Sequence, residues 1–94
     1  MLHPDYPLKI IPVNFGVKFN PPKLGLEYKP IDQPMTQLIY EIALQPHLDR
    51  GLNTDDIVQT LFSEHNQYLH PKVIAKSQLR KLVDRVVERA KKLE

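Results

Sequence analysis

Ninety-four residues with a net charge of +2, 41% hydrophobic and 26% charged, make at most one small globular domain. Cysteine is absent, which removes disulfides, thiolate metal sites and cysteine nucleophiles together and fits a reducing compartment. No apolar run approaches the roughly 20 residues that a membrane span needs, and the start, Met1 to Tyr6, has no secretory signal pattern.

The charge is unevenly spread: +2 over residues 1–30, −5 over 31–70 and +5 over 71–94. Such polarity either satisfies itself within a compact fold or offers a basic face to an acidic partner.

Seven of the nine prolines lie in the first 34 residues, which disfavours helix there. Residues 1–12 read as an extended proline-rich arm, with Leu8, Ile10 and Ile11 suited to packing on the domain. A single domain is expected over 13–94. From Val13 the period becomes two: Val13, Phe15, Val17 and Phe19 alternate with polar residues and Gly16, and Leu24, Leu26 and Tyr28 alternate with Lys23, Gly25, Glu27 and Lys29. This pattern predicts a β-hairpin over 13–29. A loop of Asn20-Pro21-Pro22-Lys23 would set Phe19 opposite Leu24, Val17 opposite Leu26 and Phe15 opposite Tyr28, all on one face. Gly16 and Gly25 share the other face, where they give local twist or leave a bare patch of sheet.

Three helices are expected after the hairpin. Pro34 at a first turn, with Met35, Leu38, Ile39 and Ile42 at helical spacing, predicts one over 34–45. Asn53 or Thr54 caps a second over 54–69, with Asp55 and Asp56 against its N-terminal dipole and a stripe of Ile57, Val58, Leu61, Phe62 and Leu69. Ser77 caps a third over 77–93, whose stripe is Leu79, Leu82, Val83, Val86, Val87, Ala90 and Leu93. The fold class is α+β: an N-terminal hairpin packed with three amphipathic helices.

The chain carries no dense polar cluster of the kind an enzyme needs, and no catalytic residues are expected. His65 and His70 stand five apart, so they do not form the i, i+4 pair of a helical metal site. With three glycines scattered along the chain there is no phosphate-cradling loop. Neither metal nor cofactor is expected.

Two stretches carry a resemblance. Gly16-Val17-Lys18-Phe19-Asn20-Pro21-Pro22-Lys23-Leu24-Gly25-Leu26-Glu27-Tyr28 is one, with a Pro-Pro turn between a basic-aromatic segment and an aliphatic strand ending in Tyr. The other is His65-Asn66-Gln67-Tyr68-Leu69 followed by Gln78-Leu79-Arg80-Lys81-Leu82. In this order they resemble the small centrosomal protein family named for its nineteen-kilodalton mass. The spacing between Leu69 and Gln78 is about two residues longer than in that family, and its arginine-rich Met-Pro segment has no counterpart here. The resemblance implies a non-enzymatic adaptor of the centrosome or ciliary base, binding a centriolar scaffold and a Rab-like small GTPase to promote cilium assembly. Its location would be the cytoplasm and cytoskeleton.

The candidate partner-binding residues are Phe19, Pro21, Pro22 and Tyr28 on the hairpin's turn and edge, and Lys81 and Arg85 on the basic third helix. On that helix Asp84 is placed to pair with Arg80, and Glu88 with Lys92, leaving Lys81 and Arg85 without an acidic residue at i+4. Two alternatives stand beside the adaptor: a nucleic-acid-binding module built on the basic helix, which the interspersed Asp84 and Glu88 disfavour, and a structural protein of the microtubule lattice.

Overall fold

A computed structural model of the chain describes residues 5–92. Its elements are β1 (Ile10–Phe19), β2 (Pro22–Pro30), β3 (Leu38–Ala43), α1 (Gln45–Asp49), α2 (Thr54–Glu64) and α3 (Lys76–Lys92). The strands form one antiparallel sheet in the order β1-β2-β3. The fold is therefore α+β, as the patterning predicts, with a third strand, β3, in place of the helix expected over 34–45 and a five-residue helix, α1, after it.

The hairpin forms in a register two residues tighter than the loop geometry predicts. Phe19 pairs with Pro22, Val17 with Leu24 and Phe15 with Leu26 across the two-residue connection Asn20-Pro21. A shift of two leaves every side chain on its expected face, because the side-chain period of a strand is also two. It does change the partners: Gly16 now faces Gly25 directly, and Tyr28 lies opposite Pro12. The first pair follows from the two-residue turn, and the second from a bulge between Pro12 and Asn14. Val13, expected on the inner face, is the extra residue and is 48% exposed. Before the bulge Ile10 turns inward and after it Phe15 and Val17 do. The arm thus joins the sheet at Ile10, and Leu8 is buried with it; residues 1–4 lie outside the described residues.

The expected helix over 34–45 is the principal correction. Met35 is 96% exposed, and Leu38 and Ile39 belong to β3. β2 pairs on its far side with β3, setting Leu24 against Ile42 and Leu26 against Tyr40. A two-stranded hairpin is marginal by itself, and the unpaired edge of β2 offers backbone partners that a helix here would leave unsatisfied. The inward residues of this segment are Tyr40 and Ile42, at a period of two, while Met35, Leu38 and Ile39 of the helical stripe face water.

α1 begins with Pro46 in its first turn and closes with a Schellman motif: the Gly51 amide donates to the Leu48 carbonyl at 3.0 Å and the Leu52 amide to the His47 carbonyl at 3.3 Å. Gly51 holds φ +71, the left-handed conformation the motif requires. α2 starts as expected, with the Asn53 side chain accepting from the Asp56 amide at 2.8 Å. It ends at Glu64, earlier than the predicted 69. The chain turns at His65, whose carbonyl accepts from the amides of Tyr68 and Leu69, and this carries Leu69 into the core. α3 begins at Lys76, so Ser77 sits inside the first turn; the Ala75 carbonyl accepts from the amides of Gln78 and Leu79. Leu93 lies outside the described residues.

The core lies between the inner face of the sheet and the pair α2/α3. Leu24, Leu26 and Ile42 come from the strands, Ile57, Val58 and Leu61 from α2, and Leu79, Val83, Val86 and Val87 from α3. Leu82 and Ala90, expected on the buried stripe, are partly exposed. No helix among the described residues is long and apolar enough to cross a membrane.

Candidate partner-binding surface

Phe19 ends β1 just before the hairpin turn, on the face that packs toward α3. Its ring is half-buried, and two guanidinium groups of α3 stand against it: the Arg89 carbon at 4.9 Å from the ring centroid and the Arg85 carbon at 5.8 Å. Arg85 and Arg89 are four residues apart, one helical turn, so both reach the same ring. Around them lie two adjoining depressions. One, of about 440 Å³, is lined by Phe19, Arg85, Glu88, Arg89 and Lys92. The other, of about 80 Å³, is more apolar, and Phe19 and Arg89 share it with Pro22, Leu48, Val86 and Ala90.

Three of the six expected residues meet here: Phe19, Pro22 and Arg85. Pro21 is exposed at the tip of the turn beside them. Lys81 is exposed one turn before Arg85 and extends the cationic row without lining either depression. Tyr28 is elsewhere, near the other end of β2, with its ring edge-on to Tyr68 at 5.3 Å. Arg89, not among the six, stands in the last turn of α3, where a cation also suits the helix dipole; its i+4 relation to Arg85 is the signal that places it here.

The ion pairs within α3 differ from the spacing rule. Arg80 bonds Asp55 at 2.8 Å rather than Asp84, and Asp84 accepts a 2.8 Å hydrogen bond from the Thr54 hydroxyl. Glu88 lies 3.6 Å from Lys91, not Lys92. The acidic α2 thus engages the start of α3, a contact across elements that no intrahelical rule can foresee. Among the described residues no carboxylate comes within ion-pair distance of Arg85 or Arg89.

Tyr28, Tyr40, Tyr68 and His65 form a second cluster. Tyr40 and Tyr68 are stacked, and the Tyr40 hydroxyl shares a 2.8 Å hydrogen bond with His65 Nδ1. Burial lowers the His65 pKa below its ordinary value, against the pull of Glu64. The cluster joins the hairpin stretch, through Tyr28, to the His65–Leu69 stretch, 40 residues apart in the case of Tyr28 and Tyr68. Its rings hold the sheet to the segment after α2, a structural task. His70 Nδ1 accepts from the Lys72 amide at 3.1 Å, and among the described residues no group of three potential metal ligands converges.

The outer face of the sheet carries a shallow groove of about 220 Å³ over the Gly16–Gly25 pair, bordered by Ile39 and by Lys18, which lies 3.6 Å from Glu41. A Cβ at Gly25 would meet only the Gly16 carbonyl, at 3.8 Å, and one at Gly16 would meet nothing within 4 Å. Packing within the chain does not require either glycine.

Comparison with known proteins finds no match: no family model, no curated protein and no solved structure matches the chain.

Proposed function

We propose that the chain is a non-enzymatic protein-binding adaptor and that its docking surface is the end of the molecule where the hairpin turn meets α3. One observation carries the reading: Phe19 is held half-buried with Arg85 and Arg89 against it, and an exposed proline turn lies alongside. Aromatic and arginine side chains are the types that dominate binding energy at protein interfaces, and here the two exposed arginines flank a half-buried ring. The cellular setting rests on the sequence resemblance alone. In that setting the protein works at the centrosome or ciliary base, recruiting a scaffold and a Rab-like small GTPase for cilium assembly.

Site-specific photo-crosslinking in ciliated cells tests the proposal. A benzophenone side chain placed at Pro21 is expected to give discrete protein adducts, and the same group at Gln59, on the exposed side of α2, is expected to give none of them. Identical adducts from both positions, or none from Pro21, would remove the docking surface. A tagged chain spread evenly through the cell, without enrichment at the centrioles, would remove the cellular setting.

A further inference from the structure

Two arginines at i, i+4 repel each other on a helix surface, since like charges at that spacing are unfavourable. Here the repulsion is kept, and the nearby acid does not relieve it, because Glu88 lies beside Lys91 instead. The Phe19 ring receives both guanidinium groups, at 4.9 and 5.8 Å. A guanidinium against an aromatic ring still has its fork of N–H donors available for a carboxylate. Lys92 adds a third cation to the same depression, which Glu88 also lines, so three cations stand there against one carboxylate. Immediately beside it is the apolar dent of about 80 Å³ floored by Leu48, Val86 and Ala90. Anion-binding and apolar subsites therefore adjoin, with Phe19 and Arg89 common to both.

We infer that this double site takes a segment of a protein partner in which an acidic residue neighbours an aliphatic one. The carboxylate lies between Arg85 and Arg89, and the aliphatic side chain fills the dent against Val86. The inference rests on the adaptor reading and names its partner's chemistry. A nucleic acid fits less well. The guanidinium groups occupy positions against the Phe19 ring on which a base would have to stack. The apolar dent has no role with such a ligand.

The test uses the full chain, isotopically labelled, and follows backbone amides and arginine side chains by NMR at low salt. The probe is a short blocked peptide alternating Glu and Leu. Shifts are expected at Phe19, Arg85, Arg89 and Ala90. Replacing each Glu by Gln in the peptide is expected to weaken binding about tenfold or more, the value of a lost charge-assisted hydrogen bond. Replacing each Leu by Ser is expected to weaken it as well. In the protein, Arg89→Gln is expected to reproduce the loss while Lys76→Gln, at the far end of α3, leaves affinity unchanged. Equal binding of the Gln peptide overturns the inference, as does the absence of shifts at this site up to about 1 mM peptide. An oligothymidylate of equal charge that shifts the same signals at lower concentration overturns it in favour of nucleic acid. The cross-linking at Pro21 is read independently: adducts there without Glu-Leu peptide binding leave the adaptor standing and remove only this account of its partner.

Discussion

Tyr40 and Tyr68 stack with ring centroids 3.8 Å apart and planes 7° from parallel. The contact fastens β3, a strand at the sheet edge, to the turn that follows α2. Tyr68→Ala removes the stack together with the edge-on contact to Tyr28 and is expected to cost about 2–4 kcal/mol. Tyr40→Phe keeps the stack and loses only the hydrogen bond to His65, about 1 kcal/mol. Urea unfolding of the two variants measures the difference. Equal losses would mean that the ring contacts of Tyr68 are together worth no more than that one bond.

The Thr54–Asp84 and Arg80–Asp55 contacts both join α2 to α3, yet they differ in surroundings. Thr54 is buried, whereas Arg80 and Asp55 are exposed. Thr54→Val is expected to cost about 1.5–3 kcal/mol, because a hydrogen bond to a charged acceptor is lost from a partly buried site. Arg80→Ala is expected to cost under about 1 kcal/mol, as exposed ion pairs do. A larger loss at Arg80 than at Thr54 would reverse this ranking.

Burial holds the folded-state pKa of His65 below the ordinary 6.5, and the charge of His47 adds to it while that of Glu64 opposes. The unfolded chain therefore takes up the proton first as pH falls. The stability linked to His65 is complete above pH 6.5 and is lost as pH drops from there through the lowered folded-state value. Stability measured at about pH 7.5 and about pH 5.5 should fall less for His65→Gln than for the native chain. The same drop in both would clear His65 of the effect.

Leu79 is 1% exposed while Leu82, on the same stripe, is only half-buried. Leu79→Ala is expected to cost about 3–5 kcal/mol and Leu82→Ala about half as much. Thermal unfolding ranks them, and equal costs would place Leu82 in the core after all.

Gly51, at φ +71, is the position where an added side chain meets backbone strain. Gly51→Ala is expected to destabilise by about 1–2 kcal/mol. Gly16→Thr, in open space on an edge strand, is expected to stabilise by about 0.5–1 kcal/mol through removal of backbone freedom and better strand propensity. Chemical denaturation of the two variants should show opposite signs.

Local signals determined the parts of this fold whose energetics are local. The alternation from Phe15 to Phe19 and from Leu24 to Tyr28 made the hairpin and its faces legible, the Asn53 cap marked the start of α2, and the stripe through Leu79, Val83 and Val86 marked α3. Phe19, Pro22 and Arg85 were nameable as binding candidates because aromatic, turn and unpaired cationic residues carry their chemistry with them. Tertiary structure decided the rest. Residues 34–43 hold both a helical spacing and an alternation of Tyr40 and Ile42, and only the open edge of β2 selects between them, since its unpaired backbone groups outweigh a weak local preference. The hairpin register follows from the two-residue turn at Asn20-Pro21, and the pairing of Pro12 with Tyr28 from a bulge at Val13 that no propensity marks. The joining of Arg89 to Phe19, and of Arg80 to Asp55, depends on how α3 crosses the sheet and α2. These are contacts between residues 70 and 25 positions apart in the chain, beyond the reach of any rule that reads neighbours three or four residues away.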